Sequence, residues 1–145
     1  MKKTIATEKI IVAAKILSDE KTRLSKMDEA DKFAVVRTLR TTRAIVEDME
    51  KFQNDARERL KPENFDELQQ QAQRFDSLSD DEKVALNKSL MEYDSAVRRC
   101  VADELASEKE IEVYTLSSDG FNKFMASNED MPAASFLAVL DLMEE

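Results

Sequence analysis

Four carboxylates carry the most specific chemistry that this chain's residue types and spacing allow. Glu47 and Glu50 stand three residues apart in a stretch that reads as helix, and Glu63 and Asp66 stand three apart a little further on. Residues three apart share a helix face. Two such pairs turned toward each other would offer several hard oxygen ligands, the donor set that Mg²⁺ takes beside a triphosphate. Composition argues the other way. The chain holds 17 Glu and 14 Asp, so acid pairs at this spacing arise without selection, and most acids of such helices form a solvated face. The expectation is therefore no metal site, no cofactor and no catalytic residue, with metal-dependent hydrolysis as the alternative.

That spacing resembles the ExxE…ExxD arrangement of the all-α nucleoside-triphosphate pyrophosphatases, and the resemblance implies Mg²⁺-dependent hydrolysis of a nucleotide. The chain departs from the family in its later helix, where the accompanying basic and acidic residues are out of register. Other chemistries close on composition. Histidine and tryptophan are absent, and there is one glycine and one cysteine. A Ser-His-Asp triad, a histidine or thiolate zinc site and a Gly-rich phosphate loop therefore have no residues to build them. Cys100 lies beside Val101 on a helical pattern and reads as small apolar packing.

Arg37, Arg40 and Arg43 form a second row, with Thr38, Thr41 and Thr42 between them. Such a ridge suits phosphates, but with 31 acids in the chain the expectation is pairing with carboxylates of this chain or of a partner. No aromatic residue interleaves with the arginines in sequence, so a base-stacking platform is not expected. Met125, Met131 and Met143 recur near the end with Phe121, Phe124 and Phe136. Such a group either covers one end of the fold or adapts to a partner.

Charge bounds the partners. The formal net charge is −9, which opposes general nucleic-acid binding, because that affinity comes mostly from neutralised phosphates. The distribution is uneven: residues 1–43 carry 11 Lys/Arg against 6 Asp/Glu (+5), and residues 44–145 carry 11 against 25 (−14). The acidic part leaves an acidic DNA mimic as a further alternative. A single cysteine excludes an intrachain disulfide and points to a reducing compartment. The basic start Met1-Lys2-Lys3 is followed by no long apolar run, and nothing approaches the ~20 apolar residues of a membrane span. The expectation is a cytoplasmic protein with no membrane partner.

The elements that must position these residues are mostly helices. One glycine and two prolines in 145 residues leave few breaks. Thr7 reads as an N-cap, with Ile10, Ala14, Leu17 and Leu24 behind it, predicting a helix over about 8–24. Val35, Leu39, Thr42, Val46, Met49, Phe52, Ala56 and Leu60 recur by three or four and predict a second over about 28–60, ended by Pro62. Pro62 opens a third, with Phe65, Leu68, Ala72, Phe75 and Leu78 as its stripe. Ser79 to Glu82 forms a capping box for a fourth reaching about residue 108. Its inward stripe reads as Val84, Leu90, Met91, Val97, Val101 and Leu105, with Asn87 and Asp94 as rim or register positions.

Residues 110–116 alternate β-branched and polar side chains and read as a strand. A strand needs a partner, and residues 2–6 are the other extended stretch. Ser117 then caps a short helix that Asn128 ends, and Pro132 opens a last one. The fold class expected is mainly α: one domain, an antiparallel bundle of four to six helices, with residues 2–6 paired to residues near 111–116.

In overall pattern the chain resembles small helical proteins of phages and prophages of gut bacteria. The residues that carry the likeness are the lysine-rich extended start, Asp31-Lys32-Phe33, Lys61-Pro62-Glu63 and the Leu116-Ser117…Phe121 segment. The likeness implies an assembly, accessory or host-interaction role and assigns no catalytic residue. The function expected is a non-enzymatic helical interaction protein, with a protein partner or self-association.

Overall fold

The computed structural model describes residues 1–145. The chain is mainly α: 71% of residues are helical. The order is β1 (Lys2–Ala6), α1 (Thr7–Ser18), α2 (Glu29–Arg59), α3 (Phe65–Gln73), a 3₁₀ turn (Phe75–Ser77), α4 (Asp80–Ala106), β2 (Glu108–Glu112), α5 (Ser118–Ser127) and α6 (Ala133–Met143). Two compact units are distinguishable. One comprises residues 1–49 and 105–145, the other residues 50–104, and both α2 and α4 run from one into the other.

The first unit holds the small antiparallel sheet, in which Lys2 pairs with Glu112, Thr4 with Glu110 and Ala6 with Glu108. Strand alternation puts Ile5 and Ile111 on one buried face. The other face sets Lys2 against Glu110 at 3.4 Å, and the terminal ammonium of Met1 reaches Glu112 at 2.7 Å. Lys3 shares the inner face, but its Nζ donates to the carbonyls of Asp141 and Glu144 at the end of α6. A cation there meets the negative end of the helix dipole.

Behind the sheet, α1 packs on α6. Ile10, Ala13, Leu17, Val35, Val113, Phe124, Val139, Leu142 and Met143 share one buried cluster. Phe121, Phe124 and Phe136 stack about it, with centroids 6.0–6.5 Å apart and near-perpendicular edges at Phe136. The C-terminal aromatic and methionine group thus mainly covers core. Met143 is buried, while Met125 remains 40% exposed.

Three local departures from the sequence reading have physical causes. α1 ends at Ser18, six residues early. The Asp19 carboxylate accepts from the Lys21 N–H at 2.8 Å and the Thr22 hydroxyl donates to the Ile16 carbonyl, so side chains take over the last turn's backbone groups. Thr7 does not cap α1. It is buried inside the first turn, and its hydroxyl donates to the Ser107 carbonyl at 2.8 Å. β2 occupies residues 108–112 rather than 110–116. Beyond it the extended chain bonds to other elements: the Val113 N–H to the Met1 carbonyl, the Tyr114 N–H to the Thr38 hydroxyl and the Leu116 N–H to the Met143 carbonyl.

The second unit contains the C-terminal part of α2, α3, the 3₁₀ turn and most of α4. Its buried side chains are Ala56, Leu68, Leu86 and Val97. Phe65 packs on Tyr93 at 5.3 Å, and the Tyr93 hydroxyl donates to the Arg57 carbonyl at 2.6 Å. Ser79 and Glu82 form the reciprocal capping box expected of them. The stripe assigned to α4 needs correction at two of its six positions, since Leu90, Val97, Val101 and Leu105 are buried or half-buried. Val84 and Met91 are 69% and 68% exposed, and the inward row is Leu86, Leu90, Tyr93 and Val97, with Leu90 and Tyr93 half-buried. Both rows have helical spacing. Asn87 and Asp94 are exposed and fix no register within the chain.

Candidate interaction face

The site begins with threonines. Val35, Thr38 and Thr42 are fully buried on the inner side of α2. Thr38 accepts from the Tyr114 N–H at 3.1 Å and lies 3.3 Å from the Tyr114 carbonyl. Thr41 donates to the Glu112 carbonyl at 2.7 Å. Buried hydroxyls cost stability unless bonded, and these ones use their bonds to lock α2 against residues 112–114. Thr38 and Thr41 therefore serve docking, not phosphate binding, while the Thr42 hydroxyl donates within α2 to the Leu39 carbonyl at 2.9 Å.

That lock fixes what the opposite side of α2 presents. Phe33, Val36, Arg37, Arg40 and Arg43 are all exposed, Phe33 by 57% and Val36 by 56%. The Arg37 guanidinium lies 4.5 Å from the centre of the Phe33 ring and 5.4 Å from that of Tyr114. Phe33 is one helical turn before Arg37. Tyr114 arrives only through the Thr38 bonds. No aromatic lies between the arginines in sequence, but the fold brings two rings onto Arg37 from outside the row, at ~0.5–1 kcal/mol each in exposed settings. Arg43 bonds Glu47 at 2.9 Å, and Arg40 is exposed between them. The result is a semi-rigid surface of two apolar side chains beside three arginines.

The carboxylates take other places. Glu47 is occupied by Arg43. Glu50, Glu63 and Asp66 are exposed, Glu63 in the turn before α3 and Asp66 in its first helical turn. No group of three or more Asp, Glu or Cys side chains is arranged to hold a metal ion. Cys100 is half-buried in the second unit, with the Arg59 guanidinium donating to its sulfur at 3.2 Å. A cleft of about 590 Å³ separates residues 16–23 from residues 127–135. Its buried polar side chain, Asn128, accepts from the Arg23 N–H and donates to the Arg23 and Phe124 carbonyls. Its groups are thus spent on closing the loop.

No family model, curated protein or solved structure matches the chain. No helix is long and apolar enough to cross a membrane.

Proposed function

We propose that this is a non-enzymatic interaction protein whose α2 face binds an acidic, partly apolar segment of a partner protein. The observation that carries the reading is the pairing of Phe33 and Val36, each more than half exposed, with Arg37 and Arg40 on one face. An aromatic ring left in water beside arginine has the composition enriched at protein interfaces, and Val36 extends the exposed apolar patch. The rings and the Thr38 and Thr41 bonds pre-order the face, which lowers the entropy lost on binding. Arginine favours a carboxylate partner through paired N–H donors. The chain's net charge of −9 disfavours nucleic acid as the occupant. An assembly or accessory role of the phage type fits a face built for protein contact.

Selection of a random peptide library on the immobilised protein tests this. Peptides rich in Asp or Glu with an apolar anchor should be enriched on the wild type and lost on the Phe33→Ala/Arg37→Ala variant. Equal recovery by both proteins removes the α2 face from the proposal. The hydrolase alternative makes a different demand. Mg²⁺ should raise the melting temperature by binding the native state, and Glu50→Gln should abolish that rise. The expected outcome is no Mg²⁺ shift in either protein and no triphosphate hydrolysis.

A further inference from the structure

The exposed Val84 and Met91 of α4 belong to a surface in its own right. Val84, Lys88, Met91 and Ser95 alternate by four and three residues, the 3.5-residue spacing of a helix–helix seam. All four are exposed and, with Arg99, line one shallow surface depression. The seam's ends carry opposite charge. Asp80 and Asp81 open α4, and Arg98 and Arg99 lie about five turns later.

We infer that this face of α4 pairs with the same face of a second copy of the chain, antiparallel about a two-fold axis between Ser89 and Leu90. That register sets Asp80 beside the second copy's Arg98 on one side of the seam and Asp81 beside its Arg99 on the other, and each pairing occurs twice. Val84 meets Ser95, and the Lys88 stem lies along Met91, its ammonium free to reach water. A parallel pairing would place the aspartates of both copies together, and like charges oppose it. Antiparallel helices also oppose their dipoles favourably. An isologous contact of this kind is the commonest route to a dimer.

Two further observations favour a second copy as the occupant. Residues 50–104 bury only four side chains, and a unit of this size is marginal without outside support. Arg98 is held at present only by Asp94, at 3.0 Å, with side chains 80% and 58% exposed. Such pairs contribute little, so exchanging Asp94 for an intermolecular aspartate costs little.

Sedimentation equilibrium of the full chain, from low to high micromolar concentration at low salt, tests the pairing. The wild type should show a monomer–dimer equilibrium that weakens as salt rises. Asp80→Arg/Asp81→Arg should raise the dissociation constant about tenfold or more, as should Arg98→Asp/Arg99→Asp. An equimolar mixture of those two variants should dimerise like the wild type, because each supplies the charges that the other has reversed. Three results would overturn the inference: a monomeric wild type over the whole range, variants that dimerise unchanged, or a mixture that stays monomeric. If a charge variant loses helical circular dichroism, Met91→Glu carries the test: the same tenfold weakening is expected, and unchanged dimerisation rejects the face.

Discussion

The two units spend similar apolar residues differently. In residues 1–49 with 105–145, elements distant in sequence meet: β1 pairs β2, α1 packs on α6, and Phe124, Val139, Leu142 and Met143 are essentially removed from water. In residues 50–104 burial is confined to Ala56, Leu68, Leu86 and Val97, while Val84 and Met91 stay more than two-thirds exposed. Helical spacing is equally good in both. Apolar periodicity therefore sets which residues can share a face, but the amount of facing surface decides whether that face is core. The first unit is expected to set the chain's stability, and the second to be the part that opens locally and gains most from association.

The largest effect should come from the first unit's core. Phe124→Ala removes a fully buried ring that stacks on Phe121 and Phe136 and should cost about 3–5 kcal/mol in urea melts. Leu86→Ala in the second unit should cost about 2–3 kcal/mol. Phe52 and Leu90, half-buried, belong near about 2 kcal/mol, the low end for such truncations. Native-state hydrogen exchange sharpens the contrast: amides of α1 and α6 should exchange at the global free energy, those of α3 well below it. Equal costs for Phe124→Ala and Leu86→Ala, or equal protection, would erase the distinction between the units.

The next effect tests a close approach. Gly120, the only glycine, has an ordinary backbone, since no residue of the chain has a positive φ. The constraint on it is one side chain: a Cβ there would lie 2.8–2.9 Å from all three terminal atoms of the Asp31 carboxylate, which would have to swing aside. Gly120→Ala should change stability by less than about 1 kcal/mol, the displacement of Asp31 offsetting the gain in helix propensity. With Asp31→Ala already present, the same change should stabilise by up to about 1 kcal/mol, because only the propensity term survives. A cycle in which Asp31→Ala leaves the effect of Gly120→Ala unchanged would place the constraint elsewhere.

These contrasts mark what the sequence could disclose. The stripe of α2 was legible because one long run shows eight consecutive matches. Val35, Thr42, Met49 and Ala56 are buried, and Leu39, Val46, Phe52 and Leu60 are half-buried. The strand pair was legible because a lone strand needs a partner and only residues 2–6 offered one. On α4, Val84–Met91 and Leu86–Leu90–Val97 are rival rows on one helix, and what packs on it selects between them: Phe65 of α3 on Tyr93, and the end of α2 through Arg57. At the candidate face, the Arg37 row and Phe33 could be read directly. Tyr114 could not, because it joins through hydrogen bonds between residues 76 apart. Buried threonines between the arginines were the available signal.

The smallest expected effect compares one lysine from each unit. Hydrogen bonds to carboxylates raise both above the ordinary lysine value, Lys61 through Glu58 and Lys123 first through Asp28 and then Asp119. A base whose folded pKa is raised adds stability that is fully present below its unfolded pKa and is lost as pH climbs through the folded value. Both contributions should therefore fade only on the alkaline side of about pH 10.4, and both should be small because the groups are exposed. Their origins differ. Glu58 is three residues from Lys61, whereas Asp28 is 95 residues from Lys123. The Lys61 shift can thus outlast opening of its unit, while the Asp28 part of the Lys123 shift requires the first unit to be assembled. Titration of the two side-chain Cε resonances by NMR should show both midpoints raised. Asp28→Asn should lower that of Lys123 without returning it fully, since Asp119 still lies 3.2 Å away, and should leave Lys61 unmoved. A Lys123 midpoint insensitive to Asp28→Asn would mean that the long-range clip between α5 and the start of α2 does not hold in solution.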